Sequence, residues 1–393
     1  MKMIPRGVWQ LAALMLLHFT ADMVGGILPG ILPVLRENFN MTLSAGVVFL
    51  AARALSSNFC QMAVGPLRKN SNKPFFIYIG LILLMLIGVF GLLPKNTPAW
   101  ILWITAIIFG CGTAVVHPEG LRGAMAVKDV NGATATALFM TMGFFGFSCG
   151  PLIGALLVEM KWGLKSLLMV AAFLLLVIII LLAAKITLLT DKIDKKTNSA
   201  ENADTRWSFA VLFIIAFFMN SGSTMLQSLL PTFMHDINNF SLKIGGIASL
   251  LFGLGSATGS IAGGIISKKV RPSTLTMCNL FSGMILLFTY FAFSHHIWAL
   301  GIMFFAGFTA SSSLPLLVVM ARFAPSKIVI GLKMGIMVGG SWGAGGVILL
   351  GLSMLVEKIG LKNAMWVACS CYLAALLTAV FAAFLPKKRI ENK

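Results

Sequence analysis

Residues 164–206 read LKSLLMVAAFLLLVIIILLAAKITLL and then TDKIDKKTNSAENADTR, and the change of character between the two parts decides the fold. The first part is an apolar run long enough, at ~1.5 Å of rise per residue, to cross the ~30 Å hydrocarbon layer of a bilayer as one helix. The second, from Asp191 to Arg206, is rich in Lys, Asn, Asp and Thr and reads as a solvated linker. Comparable apolar runs recur on both sides. Spans are expected near 7–35, 42–67, 73–94, 98–127, 131–158 and 164–189 before the linker. After it they are expected near 207–235, 241–268, 272–294, 297–323, 327–357 and 361–386. With 58% hydrophobic and 11% charged residues, and a mean hydropathy of +0.94, the chain has too few charges to cover a water-soluble surface. The expected fold is an all-α integral membrane protein of twelve transmembrane helices. It divides into a six-helix bundle over 1–190, a cytoplasmic linker over 191–206 and a second six-helix bundle over 207–393.

A net charge of +18 suggests nucleic acid in a soluble protein, but here the cations segregate between alternate loops. Twenty-one of the thirty Lys and Arg residues fall on the side that holds both termini, seven on the other, and Arg53 and Lys333 fall inside spans. Cytoplasmic loops carry such an excess, so both termini are expected in the cytoplasm. The first span is too long for a cleaved signal peptide and should stay as a helix. None of the six cysteines forms a CxxC pair, and all lie in apolar segments, where they read as small hydrophobes. Trp9, Trp100, Trp103, Trp162 and Trp298 fit interfacial belts. There is no GxxxxGK[ST] and no soluble segment that could hold an ATPase, so an ion gradient or the solute's own gradient must drive any transport. No metal or cofactor is expected.

The halves resemble each other. Leu32-Pro33 returns as Leu230-Pro231, Thr42-Leu43 as Ser241-Leu242, and Gly110 and Pro118 as Gly307 and Pro315. Gly143, Gly146 and Gly154 return as Gly340, Gly343 and Gly351, and Gly163-Leu164-Lys165 as Gly360-Leu361-Lys362. So many matches at nearly one offset indicate a duplicated six-helix unit. Residues kept in both copies then serve architecture, and polar residues present in one copy are candidates for chemistry. Glycines spaced by four in the fifth, eighth and eleventh spans, Gly150 (followed by Pro151) and Gly154 among them, line single helix faces and permit close packing. Such faces also suit a moving interface.

A charge near the bilayer centre costs at least ~2.5 kcal/mol, so each one demands a reason. Asp22, with His18 one turn earlier, has the neutral Asn220 as its counterpart. Arg53 corresponds to Phe252, Lys333 to Thr136, and His117-Pro118-Glu119 to Leu314-Pro315-Leu316. The proline is kept while both ionisable groups are lost. Spans three, six, nine and twelve hold no internal charge, which suits helices facing lipid around a central cavity lined by the others. Asp22, His117 and Glu119 are candidate proton carriers, since buried carboxyls and histidines exchange protons near neutral pH. The alternatives are a structural hydrogen bond for Asp22 and capping of the backbone freed by Pro118 for His117. Arg53 and Lys333 are candidates for binding a substrate anion, or counter-ions of Asp22 and Glu119. Arg122, near the cytoplasmic end of the fourth span, reads as a snorkelling or gating residue.

His18–Pro33 (HFTADMVGGILPGILP), Gly110–Arg122 (GCGTAVVHPEGLR) and Gly143–Gly154 (GFFGFSCGPLIG) resemble the fosmidomycin-resistance branch of the major facilitator superfamily. The Gly150-Pro151-x-x-Gly154 piece is similar to the antiporter motif of drug/proton exporters. The resemblance implies two pseudo-symmetric six-helix bundles in a bacterial inner membrane, working by alternating access. It also matches Asp22, His117 and Glu119 to the family's polar positions. Two features depart from the pattern. The loop Gly65-Pro66-Leu67-Arg68-Lys69 lacks the usual acidic residue, and Arg53 and Lys333 stand where uncharged residues are expected. The expected activity is proton-coupled export of a small anion, a phosphonate-like drug or a polycarboxylate such as a siderophore, by a monomer. Uptake of a similar anion by proton symport is the alternative. A membrane-embedded enzyme would need a metal or nucleophile cluster, and one His-Pro-Glu is too little for that.

Overall fold

A computed structural model describes residues 5–67, 71–190, 206–326, 328 and 330–384. Arg68 and Lys69 of the loop signature, residues 191–205 of the linker, Lys327 and the terminal cations beyond Phe384 lie outside them. Among the described residues the chain is helical throughout, with no strand. The first bundle holds α1 (Arg6–Gly30), α2 (Leu43–Leu67), α3 (Phe75–Gly91), α4 (Ala99–Met125), α5 (Gly132–Val158) and α6 (Leu167–Ala184). The second holds α7 (Phe209–Asp236), α8 (Leu242–Ile266), α9 (Pro272–Ala292), α10 (Ile297–Phe323), α11 (Leu332–Ser353) and α12 (Val356–Phe384). Eleven of the twelve are long and apolar enough to cross a bilayer as they stand. The exception is α3, which runs as α-helix to Leu84 and tightens to a 3₁₀ turn over Met85–Gly91. That tighter stretch rises further per residue, and Gly88 and Gly91 let it lie directly on the start of α6 and on the turn at Leu164 and Lys165 before it.

The duplication is visible in the backbone. Asn40 and Asn239 both adopt a left-handed turn (φ 52° and 57°) just before Thr42 and Ser241. Gly163 and Gly360 are likewise both left-handed (φ 54° and 79°), a conformation costly for any residue with a Cβ. Gly110 lies against the Arg53 carbonyl where α4 crosses α2, and Gly307 lies against the Phe252 carbonyl where α10 crosses α8. The repeated prolines behave differently. Pro118 sits inside an unbroken α4, whereas Pro315 opens a new helix after a turn at Ser311–Ser313. Serine hydroxyls take up freed backbone there, Ser312 donating to the Thr309 carbonyl at 3.0 Å.

Within each bundle, glycine sets the depth of packing. Gly26 of α1 meets Gly150 of α5 so closely that a Cβ on Gly150 would stand 2.6 Å from the Gly26 Cα. Gly30 rests on Pro151, and Gly154 on Ile27 and Ile31. The expected close-packing stripe of α5 thus faces its own bundle. The faces that meet across the bundles are others. Gly246 and Gly253 of α8 lie on Leu152 and Ser148 of α5, and Gly343 and Gly346 of α11 lie on Phe59 and Leu55 of α2.

Those cross-bundle contacts sit in the middle of the helices and toward the end opposite the termini. At that end Arg36 donates to Asp236 at 2.6 Å, and Ser44 donates through its amide to Glu357 and through its hydroxyl to the Ser353 carbonyl. The end opposite the termini is therefore latched in this structure. Exposed large apolar side chains mark the outer surface of α3 (Ile82), α6 (Leu175, Ile179), α9 (Phe281, Ile285) and α12 (Leu377, Phe381). Burial in hydrocarbon is what such a surface requires. Of the tryptophans expected in belts, Trp9, Trp100, Trp162 and Trp298 are exposed, while Trp103 donates to the Ala45 carbonyl at 3.1 Å.

Candidate functional site

The polar centre of the first bundle is built on α1, where His18 and Asp22 are one turn apart and share a face. Gly143 of α5 has no side chain to fill the space beside them, and a Cβ there would stand 2.6 Å from Asp22 Oδ2. The Asp22 carboxylate is held from two sides. His117 Nε2 lies 2.8 Å from Oδ1, and His18 Nε2 lies 3.2 Å from Oδ2. Each imidazole is fixed in turn through its other nitrogen. His18 Nδ1 is 2.7 Å from the Phe139 carbonyl oxygen, with the two rings stacked at 4.1 Å. The Gln61 side-chain amide nitrogen, from α2, is 2.8 Å from His117 Nδ1. The two histidine rings meet edge to face at 4.9 Å. One ring nitrogen of each histidine and a carboxylate oxygen of Asp22 all lie within 4.8 Å of one another.

Arg53 reaches the same region from α2. Its guanidinium lies over Gly25, Nη2 standing 2.7 Å from where a Cβ would be, and its Cζ is 5.5 Å from the centre of the Phe147 ring. It is within electrostatic reach of Asp22. Arg53 is only 9% exposed, and its buried Nε has no hydrogen-bond partner among the described residues. A buried guanidinium without a bonded anion is expensive, since desolvation is not offset by direct pairing.

The other candidates are placed elsewhere. Glu119 is two residues beyond His117 and so turns to a different face of α4. It is 1% exposed and accepts from Arg122 Nη1 at 2.9 and 3.1 Å. Arg122 does not snorkel. It is 9% exposed and also donates to the Leu189 carbonyl and, through Nη2, to the Ser71 carbonyl at 3.1 Å. The pair thereby ties the end of α4 to the segment after α6 and to the turn before α3. Lys333 is not the counter-ion of Asp22 or Glu119 in this structure. Its Nζ donates to the Ala324 carbonyl at 2.7 Å and lies 5.9 Å from the Phe209 ring centre, capping the end of α10. Pro118 stays within α4 between these two environments.

The second bundle shows what the same place looks like without ionisable groups. Asn220, the counterpart of Asp22, donates to Ser341 Oγ at 2.7 Å. Ser223, Ser311 and Tyr372 form a neutral hydroxyl cluster beside it. His18, which spacing marks only as a neighbour of Asp22, belongs fully to the ionisable unit. Gln61 and the Phe139 carbonyl have no signal in the sequence that would single them out.

Known proteins agree with this architecture. The family model described as Major Facilitator Superfamily matches residues 14–346. An MFS-type transporter of Bacillus subtilis (strain 168), YfnC, described as uncharacterized, is 24% identical over 359 residues, covering 88% of this chain and 86% of that protein. The fosmidomycin resistance protein of Escherichia coli (strain K12) is 30% identical over 156 residues, 38% of this chain and 36% of that protein. Two solved structures share the fold. A bacterial homologue of the human lysosomal transporter Spinster, in an inward-facing and occupied conformation, has a TM-score of 0.69 at 16% identity, covering 97% of this chain and 96% of that one. The nucleoside transporter NupG has a TM-score of 0.71 at 12% identity, covering 95% and 99%. With twelve apolar helices in two repeated bundles among the described residues and a family match over most of its length, the chain belongs to the Major Facilitator Superfamily and is a multi-pass membrane transporter.

Proposed function

We propose that the protein exports a small organic anion in exchange for protons, with Arg53 as the anion's principal ligand and the Asp22–His117 contact in the proton path. The observation that carries this reading is the buried, unbonded Nε of Arg53 beside a carboxylate held by two histidines. A carboxylate or phosphonate supplies the bidentate acceptor that a guanidinium fork lacks here. The partial likeness to a fosmidomycin resistance protein supports the outward direction and a phosphonate-like or polycarboxylate solute. Glu119, Arg122 and Lys333 then serve the motion by fastening helix ends, as do Pro118, Gly150, Pro151 and Gly154 through packing. The excess of cations at the end with the termini supports a cytoplasmic location for both, in a bacterial inner membrane. The latched far end corresponds to a state closed toward the outside.

A second reading, uptake by proton symport, draws on the nearness of Arg53 to Asp22. Protonating Asp22 removes the charge that partly neutralises Arg53, so a proton and an anion favour the same state of the site.

The test uses purified protein in detergent and in proteoliposomes. A panel of phosphonates, including fosmidomycin, and of di- and tricarboxylates is screened for binding, and flux is followed under imposed pH gradients. Arg53→Gln should weaken binding of the responding anion at least tenfold, and Arg53→Lys by less, because lysine keeps the charge but not the fork. Unchanged affinity in both variants would overturn the anion site, and a response to neutral or cationic solutes alone would overturn the substrate class.

A further inference from the structure

We propose that His18 and Asp22 share a bound proton at neutral pH, and that this pair, rather than Glu119, stores the proton that is coupled to transport. The second clause rests on the proton-coupled reading above; the first stands on geometry alone. The Phe139 carbonyl oxygen is 2.7 Å from His18 Nδ1. A carbonyl can only accept, so Nδ1 must carry a hydrogen. In a neutral ring the other nitrogen then presents a bare lone pair, and here Nε2 faces Asp22 Oδ2 at 3.2 Å. Two lone pairs at that distance repel. The contact becomes attractive only with a proton between them, as imidazolium against carboxylate or imidazole against carboxylic acid. Both descriptions hold the same number of protons.

His117 is under no such constraint. The Gln61 amide nitrogen donates to Nδ1, which leaves a hydrogen on Nε2 to reach Asp22 Oδ1 at 2.8 Å in a neutral ring. The hydrogen bonds therefore run from Gln61 through His117 to Asp22, and from His18 outward to Phe139. The extra proton belongs to the His18 side. The groups facing this pair from neighbouring helices are His117 on α4, Arg53 on α2, and the Phe139 carbonyl on α5. Glu119 lies on another face of α4, where both its oxygens accept from Arg122 Nη1.

The charge count follows. With the proton in place, Asp22 is negative while His18 and Arg53 are positive, a net single positive charge that suits a monoanion. Without it the three groups sum to zero. Losing the proton weakens the site's hold on the anion, so proton and anion favour the same state of the site, which is the sign that the symport reading needs. The largely buried setting, with side chains of His18 and Asp22 5% and 16% exposed, limits how far water weakens that effect.

The test needs no transport. Full-length protein labelled with ¹⁵N-histidine is purified in detergent, and the His18 resonances are assigned by their loss in His18→Gln. At pH 7 to 8 the parent should show both ring nitrogens of His18 as protonated or strongly hydrogen-bonded. In Asp22→Asn, His18 should become a neutral ring with hydrogen on Nδ1 alone. A bare Nε2 in the parent protein overturns the proposal, and that spectrum decides even if Asp22→Asn does not fold. A His18 signal that changes on adding EDTA would put a metal ion in the proton's place and also overturn it. Failure to find any transported anion would sink the function proposed above and leave this result untouched.

Discussion

Arg36 and Asp236 lie 200 positions apart in the chain and meet at 2.6 Å, joining the short helix Leu32–Asn38 that follows α1 to the far end of α7 across the two bundles. Asp236 also faces His235 Nδ1 at 2.7 Å, and the neighbouring Ser44 holds Glu357 and the Ser353 carbonyl. Alternating access requires this latch to open, so it must be strong enough to define a state and weak enough to break. The Arg36 and Asp236 side chains are 22% and 27% exposed, and such partly solvated pairs contribute up to about 1 kcal/mol.

Breaking the latch should therefore shift a population, not destroy the fold. Arg36→Gln or Asp236→Asn should raise the accessibility of cysteines placed in the outer thirds of α2 and α8 by up to about fivefold, the factor that ~1 kcal/mol allows. The thermal midpoint in detergent should change little. Labelling rates identical to those of the parent would show that the pair does not hold the outer end closed.

The Glu119–Arg122 pair should behave in the opposite way. Removing one partner of a buried ion pair is destabilising, by up to about 3–5 kcal/mol. Arg122→Gln takes the Nη1 contact from both oxygens of Glu119, which is 1% exposed, so it should lower the midpoint and reduce yield. The double variant Glu119→Gln/Arg122→Gln should recover much of that loss. Thermal unfolding monitored by size-exclusion stability checks it, and additive losses would remove the pair from the argument.

Asp22 and Glu119 should separate in transport. Asp22→Asn should abolish solute movement driven by a pH gradient while solute exchange survives. Glu119→Gln, where it folds, should keep a pH response. Flux is to be measured across about pH 5.5 to 8, bracketing the ordinary histidine pKa of ~6.5. Equal flux by Asp22→Asn and the parent at every pH would remove Asp22 from the coupling.

Lys333 should matter for stability and not for substrate charge. Its ammonium group caps the C-terminal carbonyls of α10, an interaction worth up to about 2 kcal/mol in a buried setting. Lys333→Met should lower the midpoint and leave anion affinity within twofold of the parent. A tenfold loss of anion binding would bring Lys333 back as a ligand.

Two glycines give a contrast in packing. A Cβ at Gly150 meets the backbone of Met23 and Gly26, which cannot move aside, so Gly150→Ala should be severely destabilising. A Cβ at Gly253 meets the hydroxyl and the Cβ of Ser148 across the bundle interface, a contact relieved by moving α8 away from α5. Gly253→Ala should leave each bundle intact and loosen the contact between them. Equal stability of the two variants, measured by thermal unfolding, would show that the tight α1–α5 contact is not what holds the first bundle.

The sequence by itself determined the membrane class, the twelve spans, the duplication and the short set of residues able to carry chemistry. Each of these is a property of local composition or of spacing along one chain. Hydrocarbon demands an apolar run of a certain length, and a repeat makes the unpaired polar positions of Asp22, Arg53 and His117 stand out against Asn220, Phe252 and Leu314. Which charge meets which was decided by the tertiary structure alone. His18 and Asp22 could be seen as neighbours because helical spacing fixes residues one turn apart, and Glu119 and Arg122 share the same logic at three residues. The approach of His117 to Asp22, by contrast, depends on how closely α4 packs beside α1, where Gly120 and Gly123 lie on Leu17 and Leu14, a distance set by packing between helices. The same holds for Lys333, whose partners are backbone carbonyls, and for the Phe139 carbonyl that fixes the hydrogen on His18. Backbone acceptors are present at every residue, so no pattern of side chains announces which one a charge will find.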